Sequence, residues 1–152
     1  DYLNYKYFVS LTYKTETSFK KSINYKLLKL LFNEKKNIKF LILQNDLKEG
    51  EKNFFSKFKN VRYINDLDNS AIFQDSFNII SSVRYVISID TAVSHIAGYL
   101  GKKTYLLLNT PSSFYWGYNT SQSHDYKKHI IFRQEKPGDW NIVLKKLSEY
   151  LN

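Results

Sequence analysis

The chain has 152 residues, of which 43% are hydrophobic, and this is enough for one ordinary domain with a buried core. It contains no cysteine, which excludes disulfides and thiolate chemistry, and no apolar run reaches the roughly 18–20 residues of a membrane-spanning helix. The net charge of +9 is compatible with an anionic partner, but the lysine pairs are scattered along the chain, which favours solvated surface over a nucleic-acid site.

Short apolar runs alternate with segments of helical period along the chain. Six runs predict strands: Tyr7–Thr12, Phe40–Leu43, Val61–Ile64, Tyr85–Ile89, Thr104–Leu108 and His129–Phe132. Five segments predict helices: Phe19–Phe32, Gly50–Phe58, Ala71–Ile80, Ala92–Leu100 and Trp140–Leu151. Gly101 suits the left-handed position after a helix, and Asp139 suits the N-cap of the last helix.

This alternation predicts an α/β fold, namely a Rossmann-like, doubly wound and mostly parallel sheet of about six strands with helices on both faces. We expect a single domain over residues 1–152. With the common strand order 3-2-1-4-5-6, a ligand would bind beyond the carboxyl ends of strands 1 and 4, where the order reverses. The segments leaving those strands are 13–22 and 90–95. Neither a GxGxxG fingerprint nor a P-loop occurs in the sequence.

Segment 90–95 suits an anion. Asp90 ends a buried strand and is expected to cap the next helix, whose free N–H groups and dipole favour a phosphate. On a helical wheel Ala92 falls on the core-facing side, whereas Thr91 and His95 lie together off it. The alternative is that Asp90 is only a cap and His95 an ordinary surface histidine.

Segment 13–22 supplies Lys14, Lys21 and Ser22. The lysines are placed to neutralise a diphosphate across the point of strand reversal, or else they solvate a loop. The long loop 109–128 follows strand 5, where Trp116 could stack on a base or sugar, or instead pack the loop onto the core. The three histidines lack metal-ligand spacing, so we expect neither a metal nor a cofactor.

The run Ile87–Lys102 resembles the signature of the heptosyltransferase-like family, glycosyltransferase family 9. There, Asp-Thr-Ala/Gly followed by Ser/Ala-His lies in the C-terminal half of a two-domain GT-B fold. The form attached to tetratricopeptide-repeat proteins is the most similar, because its later motifs also occur here in order. They are Pro111 with Trp116-Gly117, then Phe132-Arg133-Gln134, then Gly138-Asp139-Trp140, and the match spans roughly residues 5–151.

The resemblance implies a donor-binding domain of an inverting, metal-independent glycosyltransferase. The donor would be a nucleoside diphosphate sugar, ADP-heptose-like, and the acceptor a lipopolysaccharide or another glycan or protein. By position, the resemblance assigns donor contacts to Asp90, Thr91, Ala92 and His95, and it aligns Lys21-Ser22 with a basic residue and serine of the family. We add Lys14 and Trp116 to the donor-binding set and assign no catalytic residue.

Two departures weaken the match. The family loop Pro-Asp-Trp-Arg-Trp has lost its Asp and Arg in residues 111–116, and a later Ser-Pro-Trp-Tyr-Pro segment survives only as Ser123 and Tyr126. They favour the alternative of a degenerate, non-catalytic interaction module beside helical repeats. A basic nucleic-acid-binding domain is a third interpretation, for which no recognition motif occurs.

The absence of methionine, and hence of an initiator, leads us to expect a piece of a longer protein whose N-terminal acceptor half is missing. The expected partners are a nucleotide-sugar donor and that missing half or a repeat domain, without nucleic acid. We expect a cytoplasmic location, with peripheral association with the anionic inner membrane face as an open alternative.

Overall fold

The computed structural model describes residues 8–15, 19–64 and 74–152. Within these ranges six parallel strands form one sheet in the order β3-β2-β1-β4-β5-β6, so the predicted Rossmann-like order is confirmed. The strands are β1 Phe8–Thr12, β2 Lys39–Ile42, β3 Val61–Tyr63, β4 Tyr85–Ile89, β5 Thr104–Leu108 and β6 His129–Arg133. The helices are α1 Lys29–Glu34, α2 Glu49–Phe55, α3 Gln74–Ser82, α4 Ala92–Tyr99 and α5 Trp140–Tyr150.

Helices cover both faces of the sheet. Phe40, Ile87 and Leu107 belong to a core with α1 and α5 on one face, whereas Leu41 and Val86 pack with α3 and α4 on the other. Every residue of β4 and β5 is buried, which explains why these strands are continuous apolar runs without polar alternation.

The predicted helix Phe19–Phe32 is wrong as a single element. Two 3-10 turns, Phe19–Lys21 and Tyr25–Leu28, precede the short helix α1. The break falls at Ile23, whose backbone N–H bonds to the carbonyl of Tyr13 at 2.7 Å. Asn24 then starts a new turn by accepting a hydrogen bond from the backbone of Lys26. The periodicity predicted a buried face of Ile23, Leu27, Leu30 and Leu31. Ile23 and Leu31 are buried and the other two are half-buried, but a tertiary backbone bond interrupts the helix.

The other boundaries agree within a few residues. Gly101 has φ 62° after α4, and Asp139 accepts a hydrogen bond from the backbone of Ile142 at 3.4 Å, so both predicted end positions are confirmed. Tyr7 and residues 71–73, which were assigned to a strand and a helix, lie outside the described residues.

Exposed cations lie at the amino ends of the strands, opposite the edge where β1 and β4 end. Strands start there, and the helices, which run back, end there. Backbone bonds join Lys128 to Thr104 at 3.1 Å and Lys103 to Val86 at 3.0 Å, so consecutive basic loops are neighbours. The exposed members are Lys36, Lys39, Lys59, Arg84, Lys103 and Lys128. Lysines scattered in the sequence thus share one edge, which we call the basic edge.

Within the described ranges, no helix combines the length and apolar character needed to cross a membrane.

Candidate functional site

An ion pair spans the point where the strand order reverses. Lys21 Nζ donates to Asp90 Oδ2 at 2.6 Å, and the two side chains are 31% and 11% exposed. Lys21 ends the 3-10 turn after β1 and Asp90 follows β4 directly. Two residues 69 positions apart therefore meet because β1 and β4 are adjacent parallel strands. The predicted convergence of segments 13–22 and 90–95 is confirmed for this pair.

Asp90 does not cap helix α4, contrary to the prediction. The N-cap residue is Thr91, and no side chain caps the helix. The carboxylate is already occupied, because its second oxygen accepts a hydrogen bond from Trp116 Nε1 at 2.9 Å. The first N–H groups of α4 therefore start beside a lysine and lack a side-chain acceptor, which is the arrangement that attracts an anion.

The first turn of α4 also differs from the helical wheel. Ala92, expected on the core side, is exposed, whereas Ser94 is fully buried. Ser94 Oγ donates to the carbonyl of Thr91 at 2.7 Å, and the hydroxyls of Thr91 and Ser88 lie 3.3 Å apart. Thr91 and Ala92 therefore lie at the solvent-accessible N-terminus of α4.

His95 lies in a group of aromatic rings. Its ring stacks on Trp116, with centroids 5.0 Å apart and an interplanar angle of 30°, and a 3.1 Å hydrogen bond joins its Nδ1 to the Tyr126 hydroxyl. Tyr115 packs edge-on to the same imidazole at 5.3 Å. The histidine is thus held one turn above the start of α4, and the hydrogen bond that fixes it comes from a distant loop.

Trp116 is only 1% exposed, so a base or sugar cannot stack on its faces. The indole stacks on His95. The ring of His129 also lies nearly parallel to the indole, with centroids 5.9 Å apart and an interplanar angle of 12°. Of the two interpretations of this residue, packing of the loop onto the core is the one that the structure supports. Its contribution to the site is the N–H that holds Asp90.

Lys14 is not brought to Asp90. Its ammonium bonds Glu51 Oε2 at 2.8 Å and lies 3.3 Å from a carboxylate oxygen of Asp46. Together with Ser22 these residues line a cavity of about 670 Å³ beside the carboxyl ends of β1 and β2. Ser22 Oγ also ties the loop by bonding the backbone of Thr15. Because Ser22 follows Lys21 directly, this cavity adjoins the ion pair.

Glu51 is a buried carboxylate that the sequence analysis did not select. It accepts hydrogen bonds from Lys14, from the Tyr13 hydroxyl at 2.5 Å and from the Lys48 backbone at 2.9 Å. Burial alone would raise the pKa of Glu51, but these bonds together hold it below its usual value. Burial and the bond to Glu51 raise the pKa of Tyr13. The cavity therefore contains an ionised carboxylate and a neutral phenol.

His129 supports α4 from beneath the site. Its Nε2 donates to the carbonyl of Ser94 at 2.9 Å, which places the proton on Nε2. Burial lowers the pKa of His129, opposed by the bond to Ser94 and assisted by the nearby His95. Its charge state is therefore linked to the position of the helix that starts the site.

Sequence reasoning also missed Arg133 and the role of Tyr126. Arg133 donates to Ser112 Oγ at 2.6 Å and to the carbonyl of Trp116 at 2.7 Å, so it fastens the loop after β5. Tyr126 packs against Gly98, where a Cβ would lie 2.4 Å from the ring. Both residues belong to quoted family motifs, but only the fold reveals what they contact.

Comparisons with known proteins identify the fold. No protein-family model and no curated protein matches the sequence. A solved structure of E. coli heptosyltransferase WaaC with ADP aligns at a TM-score of 0.66 and 14% identity, over 95% of this chain and 44% of that chain. The same enzyme with ADP-2-deoxy-2-fluoro heptose aligns at 0.64 and 13%, over 95% and 43%.

The fold that these comparisons show is a Rossmann-like α/β domain that is shared with part of the heptosyltransferase structures. The chain spans less than half of the length of the heptosyltransferase. At this level of identity the similarity concerns the fold alone. The assignment of Asp90, Thr91, Ala92, His95 and the other selected residues to a donor therefore stays a prediction.

Proposed function

We propose that this chain is the donor-binding domain of a glycosyltransferase that uses a nucleoside diphosphate sugar. The observation that carries the proposal is the Lys21–Asp90 pair beside the uncapped start of α4. Lysine and free N–H groups at a helix N-terminus together form a site for a diphosphate. The structures of WaaC with ADP and with an ADP-sugar favour ADP-heptose or a similar donor.

In this proposal the diphosphate lies between Lys21 and the backbone of Thr91 and Ala92. Asp90 accepts hydrogen bonds from both Lys21 and Trp116, which fixes the Lys21 ammonium. The ammonium protons that Asp90 does not accept would then bond to the ligand. As the sugar leaves, negative charge grows on the diphosphate, and the lysine and helix dipole stabilise it.

The nucleoside would occupy the cavity beside β1 and β2. Glu51 offers a carboxylate that can accept hydrogen bonds from ribose hydroxyls, and Lys14 holds it in place at 2.8 Å. Ser22 joins the two halves, since it lines the cavity and follows the lysine of the ion pair. In this arrangement Lys14 and Lys21 serve the same ligand, although Lys14 is paired with Glu51 and Lys21 with Asp90.

We propose that these residues bind rather than accept a proton. Both oxygens of Asp90 already accept hydrogen bonds. We propose no base for activating the acceptor among these residues. The alternative of a non-catalytic module, including one attached to tetratricopeptide repeats, predicts the same fold without the affinity tested next.

The test is a calorimetric titration with ADP of the wild-type chain, Lys21→Ala and Lys20→Ala. Lys20 is the matched control, because it is the adjacent lysine and is exposed. A charge-assisted hydrogen bond contributes roughly 1.5–3 kcal/mol, so Lys21→Ala should weaken ADP binding about 10- to 100-fold while Lys20→Ala has little effect. Equal loss in the two variants, or no binding by the wild type, would contradict the proposal.

We also propose that the basic edge holds the domain on an anionic membrane surface. It lies away from the donor site, and Tyr99, which is 83% exposed, adjoins it at the end of α4, as amphipathic rings do at lipid headgroups. Each lysine near such a surface contributes about 1 kcal/mol. Sedimentation with phosphatidylserine-containing vesicles should fall in a Lys103→Glu/Lys128→Glu variant and not in Lys20→Glu. Equal binding to neutral vesicles would refute this.

A further inference from the structure

The loop after β5 is fixed by hydrogen bonds from Arg133, the last residue of β6. Arg133 bonds Ser112 Oγ, the carbonyl of Trp116 and the carbonyl of Thr120, at 2.6, 2.7 and 3.3 Å. The buried indole of Trp116 adds its bond to Asp90. A loop tied at several points has already lost most of its conformational freedom, so a ligand that binds to it has little ordering entropy to offset.

This anchored loop nevertheless presents large aromatic rings to solvent. Phe114 is 78% exposed, Tyr118 is 77% exposed and Tyr115 is 41% exposed. We call these three residues the aromatic rim. The bonds of Arg133 fix the backbone that carries these exposed rings, and exposed apolar side chains on an anchored loop are typical of a binding site.

The aromatic rim borders the proposed diphosphate site. Tyr115 lies 5.3 Å from the His95 ring and 5.0 Å from Trp116, and Trp116 bonds Asp90 directly. Hydrogen bonds to Tyr126 and Asp125 raise the pKa of Tyr115, so its hydroxyl stays protonated and its ring is fixed in orientation. Tyr115 therefore has a defined position relative to the proposed anion site, and Phe114 and Tyr118 lie beside it in the sequence of the same loop.

A pyranose ring suits this position chemically. One face of such a ring presents C–H groups that stack on aromatic side chains, and its hydroxyls remain in water or meet polar neighbours. Sugar sites accordingly combine aromatic surfaces with a few placed polar groups. In a nucleoside diphosphate sugar the anomeric carbon of the pyranose is bonded to the distal phosphate through oxygen, and an acceptor saccharide must approach that same carbon.

We propose that the aromatic rim, Phe114, Tyr115 and Tyr118, binds the apolar face of a pyranose ring beside the diphosphate site. Trp116, selected from the sequence for such stacking, instead holds Asp90 and leaves stacking to its exposed neighbours. The inference deepens the proposed function, on which it rests. The pyranose belongs either to the donor or to the acceptor, and one set of measurements distinguishes the two sources.

The donor arm compares ADP with ADP-glucose and ADP-heptose by calorimetry in the wild type, Phe114→Ala and Tyr118→Ala. If the rim holds the donor sugar, the variants lose about three- to tenfold in affinity for the ADP-sugars and nothing for ADP, as expected for a lost stacking contact. Tyr99→Ala is the matched control, because Tyr99 is equally exposed but lies at the far end of α4.

The acceptor arm uses saturation-transfer NMR with methyl glycosides of glucose, galactose, mannose and N-acetylglucosamine. If the rim holds the acceptor, the wild type and Tyr99→Ala give signals from the sugar C–H protons that Phe114→Ala and Tyr118→Ala lose. Unchanged behaviour of both rim variants in both arms would overturn the inference while leaving ADP binding, and so the proposed function, intact. Failure of ADP to bind would overturn the proposed function, and the glycosides would still decide the rim.

Discussion

Replacing Trp116 with phenylalanine separates the two contributions of this side chain. Phenylalanine keeps an aromatic ring between His95 and His129, where the indole now stacks. It removes the N–H that donates to Asp90 at 2.9 Å. The change therefore tests whether Trp116 acts on the site through that hydrogen bond rather than through packing.

The expected cost follows from the burial of Asp90. A hydrogen bond to a charged group contributes roughly 1.5–3 kcal/mol when buried. Because the Asp90 side chain is 11% exposed and keeps Lys21 at 2.6 Å, we expect the lower part of that range, about 1.5–2 kcal/mol. Loss of the second ring of the indole leaves a void that costs about 1 kcal/mol more.

The measurement is urea denaturation of the wild type, Trp116→Phe and Trp140→Phe. Trp140 is the control, since it is 5% exposed and, within the described ranges, donates no hydrogen bond to a carboxylate. Trp140→Phe should show only the packing loss, so the difference between the two variants is the bond to Asp90. A freed Asp90 also holds Lys21 less firmly, and ADP affinity should fall about fivefold, or about 1 kcal/mol.

The reasoning is refuted if Trp116→Phe destabilises the chain no more than Trp140→Phe and leaves ADP affinity unchanged. A larger loss of stability than in Trp140→Phe without loss of affinity would mean that the bond to Asp90 stabilises the fold, and that Asp90 holds Lys21 without it.

Three further outcomes are expected. Gly98→Ala should lower the free energy of unfolding by about 1–3 kcal/mol in urea, because its Cβ would lie 2.4 Å from Tyr126, whereas Gly50→Ala, with 3.9 Å to its nearest neighbour, should be neutral or stabilising. Since the pKa of His129 in the folded chain lies below 6.5, the unfolded chain binds the proton more readily. The free energy of unfolding should therefore be at its full value above pH 6.5 and fall below that pH by up to about 1.4 kcal/mol per pH unit. His129→Gln should remove this slope. The pKa of Glu51 lies below 4.5, so its carboxylate should stabilise the fold above pH 4.5 and lose that effect as the pH falls through the folded-state value, and Glu51→Gln should flatten the acid limb of the denaturation profile. An unchanged pH profile in either variant, or Gly98→Ala as stable as Gly50→Ala, would contradict the corresponding contact.

The sequence by itself determined the six strands and four of the five predicted helices to within a few residues. The strands Tyr85–Ile89 and Thr104–Leu108 were predicted to the residue, because short runs that are apolar except for Ser88 and Thr104 are typical of strands buried on both faces. The parallel order followed from the handedness of crossover connections. With the common strand order assumed, the rule that ligands bind where that order reverses directed attention to segments 13–22 and 90–95, from which the fold brings Lys21 and Asp90 together.

Tertiary structure alone decided how those residues are used. Asp90 looked like a helix cap, but Lys21 and Trp116 occupy both of its oxygens, and neither is a neighbour in sequence. The sequence suggested that Trp116 could stack on a ligand, but its ring is buried against His95 and His129. The physical reason is that hydrogen bonds and ring contacts act over a few ångströms between segments that a sequence pattern leaves far apart. Periodicity records which side of an element is buried, and it carries no record of what is buried against it.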